Sequence, residues 1–140
     1  MIQISKKAGI VALQAHAEFL DRGAGAAYFA YYSGAKPAST EVAANPSNLL
    51  CVLPLPEPCI KQVLVDGIEL YETESALATK SGTAVWARLY NGDDEAYADF
   101  GIGTAGTDIV LNSVNIALGS SQKIDKIGRA SCRERVFAGC

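Results

Sequence analysis

"TAVWARLYNGDDEAYADFGI", residues 83–102, is the stretch that decides the fold class. Its first part alternates. Val85, Ala87 and Leu89 fall on one side of an extended chain, and Trp86, Arg88 and Tyr90 on the other, because successive side chains of a strand point to opposite faces. Asn91-Gly92 begins a turn, and the chain returns with Ala98, Phe100 and Ile102 in phase. Two strands joined by a tight turn are expected here.

The same reading extends in both directions. Upstream, "AAYFAYY" (26–32) is a short aromatic strand, broken by "SGAKPAST". "LLCVLPL" (49–55) is a second strand, stopped by Pro54, Pro56 and Pro58, since proline cannot donate to a ladder. "QVLVDGIELY" (62–71) reads as a hairpin turning at Asp66-Gly67. Downstream, "DIVLNSVNIAL" (108–118) is the last clear strand. Its apolar parity changes from Ile109 and Leu111 to Val114, Ile116 and Leu118. A slip of one residue would turn the wrong face inward, so a bulge or break is predicted near Asn112-Ser113.

One helix precedes these strands, from about Ser5 to Arg22, with Ser5 as its cap and Gly23 or Gly25 ending it. Ile4, Ala8, Val11, Ala15 and Phe19 recur at helical spacing and form the expected buried stripe. Lys6 and Lys7 oppose the helix dipole, so its first turn should fray. Short strands separated by turn signals predict a mainly β domain over residues 1–126. The expected form is an antiparallel β-sandwich or jelly roll, with the N-terminal helix over one edge or open end.

Bulk properties exclude several function classes. The 140 residues suffice for one domain with a real core, and 49% hydrophobic against 19% charged residues argues against disorder. A net charge of −3 with no basic run offers nucleic acid or an anionic membrane no attraction. No apolar run approaches the roughly 18 residues that a bilayer requires. "SKKAGIVALQAHAEF" imitates a signal peptide, but Gln14 and His16 interrupt its apolar run, which favours an amphipathic helix. Cys51, Cys59, Cys132 and Cys140 show no CxxC spacing. Cys51 and Cys59 flank a proline-rich turn and could meet, although buried free thiols are the simpler reading.

Each motif with a chemical reading has a plainer one beside it. "GIGTAG" (101–106) satisfies the GxGxxG pattern, but a β-branched, alternating run follows where a phosphate-binding helix would have to start. A glycine-rich hairpin loop is expected instead, and no cofactor. Asp93, Asp94 and Glu95 cluster in "NGDDE", yet the DxDxDG register of a calcium loop is missing, so a solvated tip without metal is expected. His16 is the only histidine and no nucleophile motif accompanies it, so no enzyme is expected. Trp86 and Tyr90 share a face and could stack on a sugar or anchor a protein interface. They could equally fill the core. Together with Asp93, Asp94 and Glu95 they form the candidate interaction surface.

Two resemblances add to this reading. Read as codons ATC GGA AGA GCG TCG TGT AGG GAA AGA GTG, "IGRASCRERV" (127–136) resembles one translated frame of a common sequencing-library adapter. That implies a non-native tail over residues 127–140, replacing the true ending after Lys126. Residues from about 4 to 124 resemble a family of small β-rich proteins encoded among the structural genes of tailed bacteriophages and prophages. The resemblance is carried by "YYSGAKPAS" (31–39), "LLCVLPLPEP" (49–58) and above all "GTAVWARLYNG" to "GTAGTDIVLN" within residues 82–112. It implies a last short strand beyond residues 120–125, which the tail displaces. It also implies a non-enzymatic virion component or decoration, of head or tail, made in the host cytoplasm. Its partners would be other virion proteins or further copies of itself. The rival expectation is a carbohydrate-binding β-sandwich module using the aromatic face.

Overall fold

A computed structural model of the chain describes residues 5–64 and 67–124. The expectations for residues 125–140, the adapter-like tail and its two cysteines included, lie outside the described residues, as does part of the Asp66-Gly67 turn. Helix α1 spans Lys6–Leu20, and Ser5 caps it by accepting a hydrogen bond from the Ala8 amide at 3.1 Å. In chain order there follow β1 (Tyr28–Tyr32), a 3₁₀ turn (Pro46–Asn48), β2 (Leu49–Pro54), β3 (Ile60–Leu64) and β4 (Gly67–Leu70). After these come β5 (Ala76–Leu77), β6 (Gly82–Thr83), β7 (Trp86–Tyr90) and β8 (Ala96–Gly103). The short strands β9 (Ile109–Val110), β10 (Asn115–Ile116) and β11 (Ser121–Gln122) complete the order.

The architecture is mainly β with one helix. Its centre is a curled, largely antiparallel sheet in the order β2-β1-β7-β8-β9. Three two-stranded ladders, β3 with β4, β5 with β11 and β6 with β10, surround it. The predicted hairpin at 62–71 is present as β3 and β4. The alternation read from residues 83–90 holds from Trp86 onward, where β7 begins, while Val85 ahead of the strand is 39% exposed. Ala87 and Leu89 have no exposure and face the main core, together with Phe29, Leu53 and Phe100. At the β1–β2 pairing the register slips between Tyr31 and Tyr32, leaving Leu50 as the extra residue of a bulge. This lets Leu50 and its neighbour Cys51 both enter the core, which strict alternation forbids.

Three expectations need correction. The buried stripe of α1 is not the alanine-rich one. Leu13 and Leu20 are buried and Ile10 and Ala17 half-buried, whereas Val11 is 63% exposed. This stripe lies on nearly the opposite side of the helix and places the larger side chains against the core, so it removes more apolar surface from water. The helix also stops at Leu20, where the Asp21 and Arg22 amides turn back to Ala17 and Phe19 carbonyls.

Second, "GIGTAG" is not a hairpin loop, because β9 pairs with β8 in parallel. The Asp108 carboxylate accepts from the Gly101 amide at 2.9 Å, and Thr107 Oγ1 donates to the Ile109 carbonyl at 2.7 Å. These bonds turn the chain through a loop and restart it in its original direction. Third, residues 108–118 are not one strand. The predicted break exists, and β9 and β10 join different ladders on either side of it, with β11 following.

Candidate functional site

The second face of the central sheet carries the polar and aromatic side chains. Cross-strand register explains which of them meet: Tyr28 lies opposite Tyr90, Ala30 opposite Arg88, and Tyr32 opposite Trp86, while Arg88 also lies opposite Asp99 on β8. Directly opposed side chains on one face are within contact range. Tyr32 accordingly stacks on Trp86 with ring centroids 4.6 Å apart, and Tyr28 on Tyr90 at 5.0 Å. Arg88 sits 5.2 Å from the Trp86 ring centroid, a cation–π distance. Its guanidinium makes a two-point pair with Asp99, Nε to Oδ1 at 2.6 Å and Nη2 to Oδ2 at 3.1 Å. Asp99 holds the Arg88 pKa above the ordinary arginine range.

Loop 34–45 lies across this face. Arg88 Nη1 donates to the Val42 carbonyl at 2.8 Å and Nη2 to the Ser39 carbonyl at 3.4 Å, and Ala44 packs on the aromatic cluster. Beneath it Trp86 keeps only 3% of its surface. One ring face meets Tyr32 and the guanidinium lies over the ring, so no flat surface remains for a sugar in this arrangement.

The five residues singled out from the sequence therefore separate. Tyr90 and Asp94 stay near the surface and are linked by Tyr28, which stacks on Tyr90 and donates its hydroxyl to Asp94 Oδ1 at 2.7 Å. Trp86 is enclosed. Glu95 turns away, its Oε1 accepting from Asn91 Nδ2 at 3.0 Å. Asp93 contributes its amide to Asn91 Oδ1 at 3.0 Å.

Asn91, which has no exposure, is the knot of this turn. Its Oδ1 accepts from both the Asp93 and Glu95 amides, and its Nδ2 also donates to the Phe19 carbonyl at the end of α1, at 3.2 Å. Gly92 completes the attachment, its amide donating to the Arg22 carbonyl at 2.9 Å. A Cβ at position 92 would lie 2.0 Å from the Gly25 carbonyl oxygen, so only glycine allows this approach. The acidic turn is thus a clasp between sheet and helix. Among the described residues no group of three or more His, Cys, Asp or Glu side chains is placed to hold a metal ion.

Two further features have chemical interest. A groove of about 330 Å³ is lined by Ala15, His16, Phe19, Ala96 and Tyr97, where His16 Nδ1 and the Tyr97 hydroxyl share a hydrogen bond of 2.8 Å. Burial pushes the Tyr97 hydroxyl up from its ordinary pKa, which keeps it a neutral phenol. Cys51 and Cys59 are free and fully buried. Burial raises both thiols, so neither offers a thiolate nucleophile.

Sequence reasoning missed Asn91 and Asp99, and it read the aromatic strand that holds Tyr28 and Tyr32 mainly as core, which Tyr32 at 6% exposure bears out. One signal was present: Arg88 alternates in phase with Trp86 and Tyr90, and a charge on a covered face requires a partner. The identity of that partner depends on the β7–β8 register. Among the described residues no helix is long and apolar enough to cross a membrane. Comparison with protein-family models, curated proteins and solved structures returns no match.

Proposed function

We propose that this chain is a non-enzymatic structural component or decoration of a tailed-phage particle. In this reading it is a small β-sandwich of jelly-roll type that docks on other virion proteins or on copies of itself. The supporting observation is the use made of the segment that carries the phage resemblance. Within it, Trp86, Arg88, Asn91, Gly92 and Asp99 brace the molecule, fastening the covering loop, the sheet and the end of α1 to one another. Side chains used in this way suit a rigid building block. A carbohydrate-binding role would have to rest on Tyr28, Tyr90 and Asp94, because Trp86 is enclosed.

The test is to induce the source strain, purify the released particles on a density gradient and probe them with an antibody to this chain. The chain should co-purify with particles in fixed proportion to the major shell protein. Its absence from intact particles would overturn the proposal.

A further inference from the structure

Four rings follow one another in contact across the second sheet face. Trp86 stacks on Tyr32 at a centroid distance of 4.6 Å, with the ring planes 20° apart. The Tyr32 and Tyr90 hydroxyls lie 3.2 Å from each other, and Tyr90 stacks on Tyr28 at 5.0 Å and 22°. The series starts at the chain's one tryptophan, which is 3% exposed. It ends at the half-buried Tyr28, whose hydroxyl donates to the exposed carboxylate of Asp94 at 2.7 Å. Cross-strand pairing accounts for the order of the rings. Packing alone does not call for a carboxylate at one end and a guanidinium at the other.

Those two charges give the series a direction. An indole gives up an electron more readily than a neutral phenol does, unless the phenol's proton leaves together with the electron. Asp94 can take the proton of Tyr28, whereas the hydroxyls of Tyr32 and Tyr90 bond to each other, and neither can accept a proton without becoming cationic. At the other end the Arg88 guanidinium, 5.2 Å from the Trp86 ring centroid, opposes a positive charge on that ring, even with Asp99 offsetting part of its own. We infer that the four rings form an oxidation relay, in which an electron removed from Trp86 by a one-electron oxidant is replaced from Tyr28 through Tyr32 and Tyr90. In the balanced step Trp86 regains its electron, and Tyr28 loses one electron to it and its hydroxyl proton to Asp94. A neutral tyrosyl radical is left beside a neutral carboxylic acid. The enclosed tryptophan is spared, and Tyr28 is the residue at which oxidation of this face emerges. The inference rests on this face alone and not on the virion reading.

A flash absorbed by tryptophan and not by tyrosine, with a cobalt(III) ammine present to take up the ejected electron irreversibly, starts the relay at Trp86. The tryptophan radical should decay in first order, at a rate independent of protein concentration, while tyrosyl absorbance grows at the same rate. A nitroso spin trap, located by mass spectrometry, should mark Tyr28. Tyr28→Phe should leave the tryptophan radical several-fold longer-lived. Asp94→Asn keeps an acceptor for the Tyr28 hydroxyl and tolerates the left-handed backbone at this position, where φ is 62°, but it cannot hold the proton. It should slow tyrosyl growth several-fold with the circular dichroism of the sheet unchanged. Tyrosyl growth at the wild-type rate in either variant, or a tryptophan radical that decays only by encounters between molecules, overturns the relay. Should Tyr28→Phe not fold, Asp94→Asn decides alone, a slowed transfer upholding the relay and an unchanged one overturning it.

Discussion

Arg88 and Asp99 face each other across β7 and β8 at 2.6 Å, with side chains only 3% and 8% exposed. The same guanidinium reaches out of the sheet to two carbonyls of loop 34–45. One ion pair thus joins two strands and a covering loop. A buried pair gains little over apolar side chains of equal size, but losing one partner strands the other charge. Asp99→Ala should therefore cost about 3–5 kcal/mol in urea unfolding. Arg88→Met combined with Asp99→Leu should cost less than the two single changes added together. A single-variant loss below about 1 kcal/mol would place the pair among ordinary surface bridges.

Asn91→Ala should be similarly damaging. It leaves the Asp93 and Glu95 amides without their partner and removes one of two donors from the Phe19 carbonyl, which keeps the Arg22 amide. Each buried group left unsatisfied costs about 1–3 kcal/mol, so a loss of about 2–4 kcal/mol is expected after partial access of water. Denaturant titration measures it, and an unchanged midpoint would show that the turn holds without the knot.

Glycines at two positions should respond with opposite signs. Gly92→Ala drives a methyl group onto the Gly25 carbonyl, where its Cβ would sit 2.0 Å away, and should destabilise by about 1–3 kcal/mol or more. Gly9 lies inside α1 with nothing within 4 Å of an added Cβ. Gly9→Ala should stabilise by roughly 0.5–1 kcal/mol through helix propensity alone. Paired thermal melts test both, and a Gly92→Ala melt equal to wild type would refute the close approach.

Alkaline pH should unfold the protein through its tyrosines. Burial raises the hydroxyls of Tyr28, Tyr31, Tyr32 and Tyr97 above their ordinary pKa. In the unfolded chain they ionise near pH 10. Their contribution is complete below that pH and is lost progressively as pH climbs from about 10 towards the raised values, because only the unfolded state then releases protons. Absorbance titration of phenolate should show them ionising together with loss of the sheet. Smooth ionisation of all six tyrosines near pH 10 in a folded protein would contradict their burial.

Strand identity was legible because it is local. Alternation in 83–90, the Asp66-Gly67 signal and the parity change at 112–113 each depend on neighbours along the chain, and each corresponds to an element or a break in the structure. The face that α1 buries was misread because Ala8 and Ala15 satisfy helical spacing as well as Leu13 and Leu20 do. Only the volume available against the core separates the two stripes.

The candidate surface divides along the same line. The sequence by itself determined the longer strands β1 to β4, β7 and β8, the turn after β7 and the sharing of one face by Trp86, Arg88 and Tyr90, because side-chain direction follows from backbone period. Tertiary structure alone decided that Tyr32 and loop 34–45 enclose Trp86, that Asp99 neutralises Arg88, and that Asn91 and Gly92 fasten the exposed acidic turn to the end of α1. The physical reason is register. These partners are brought together by strand pairing and loop closure over long sequence separations, and no local preference encodes which residue stands opposite which.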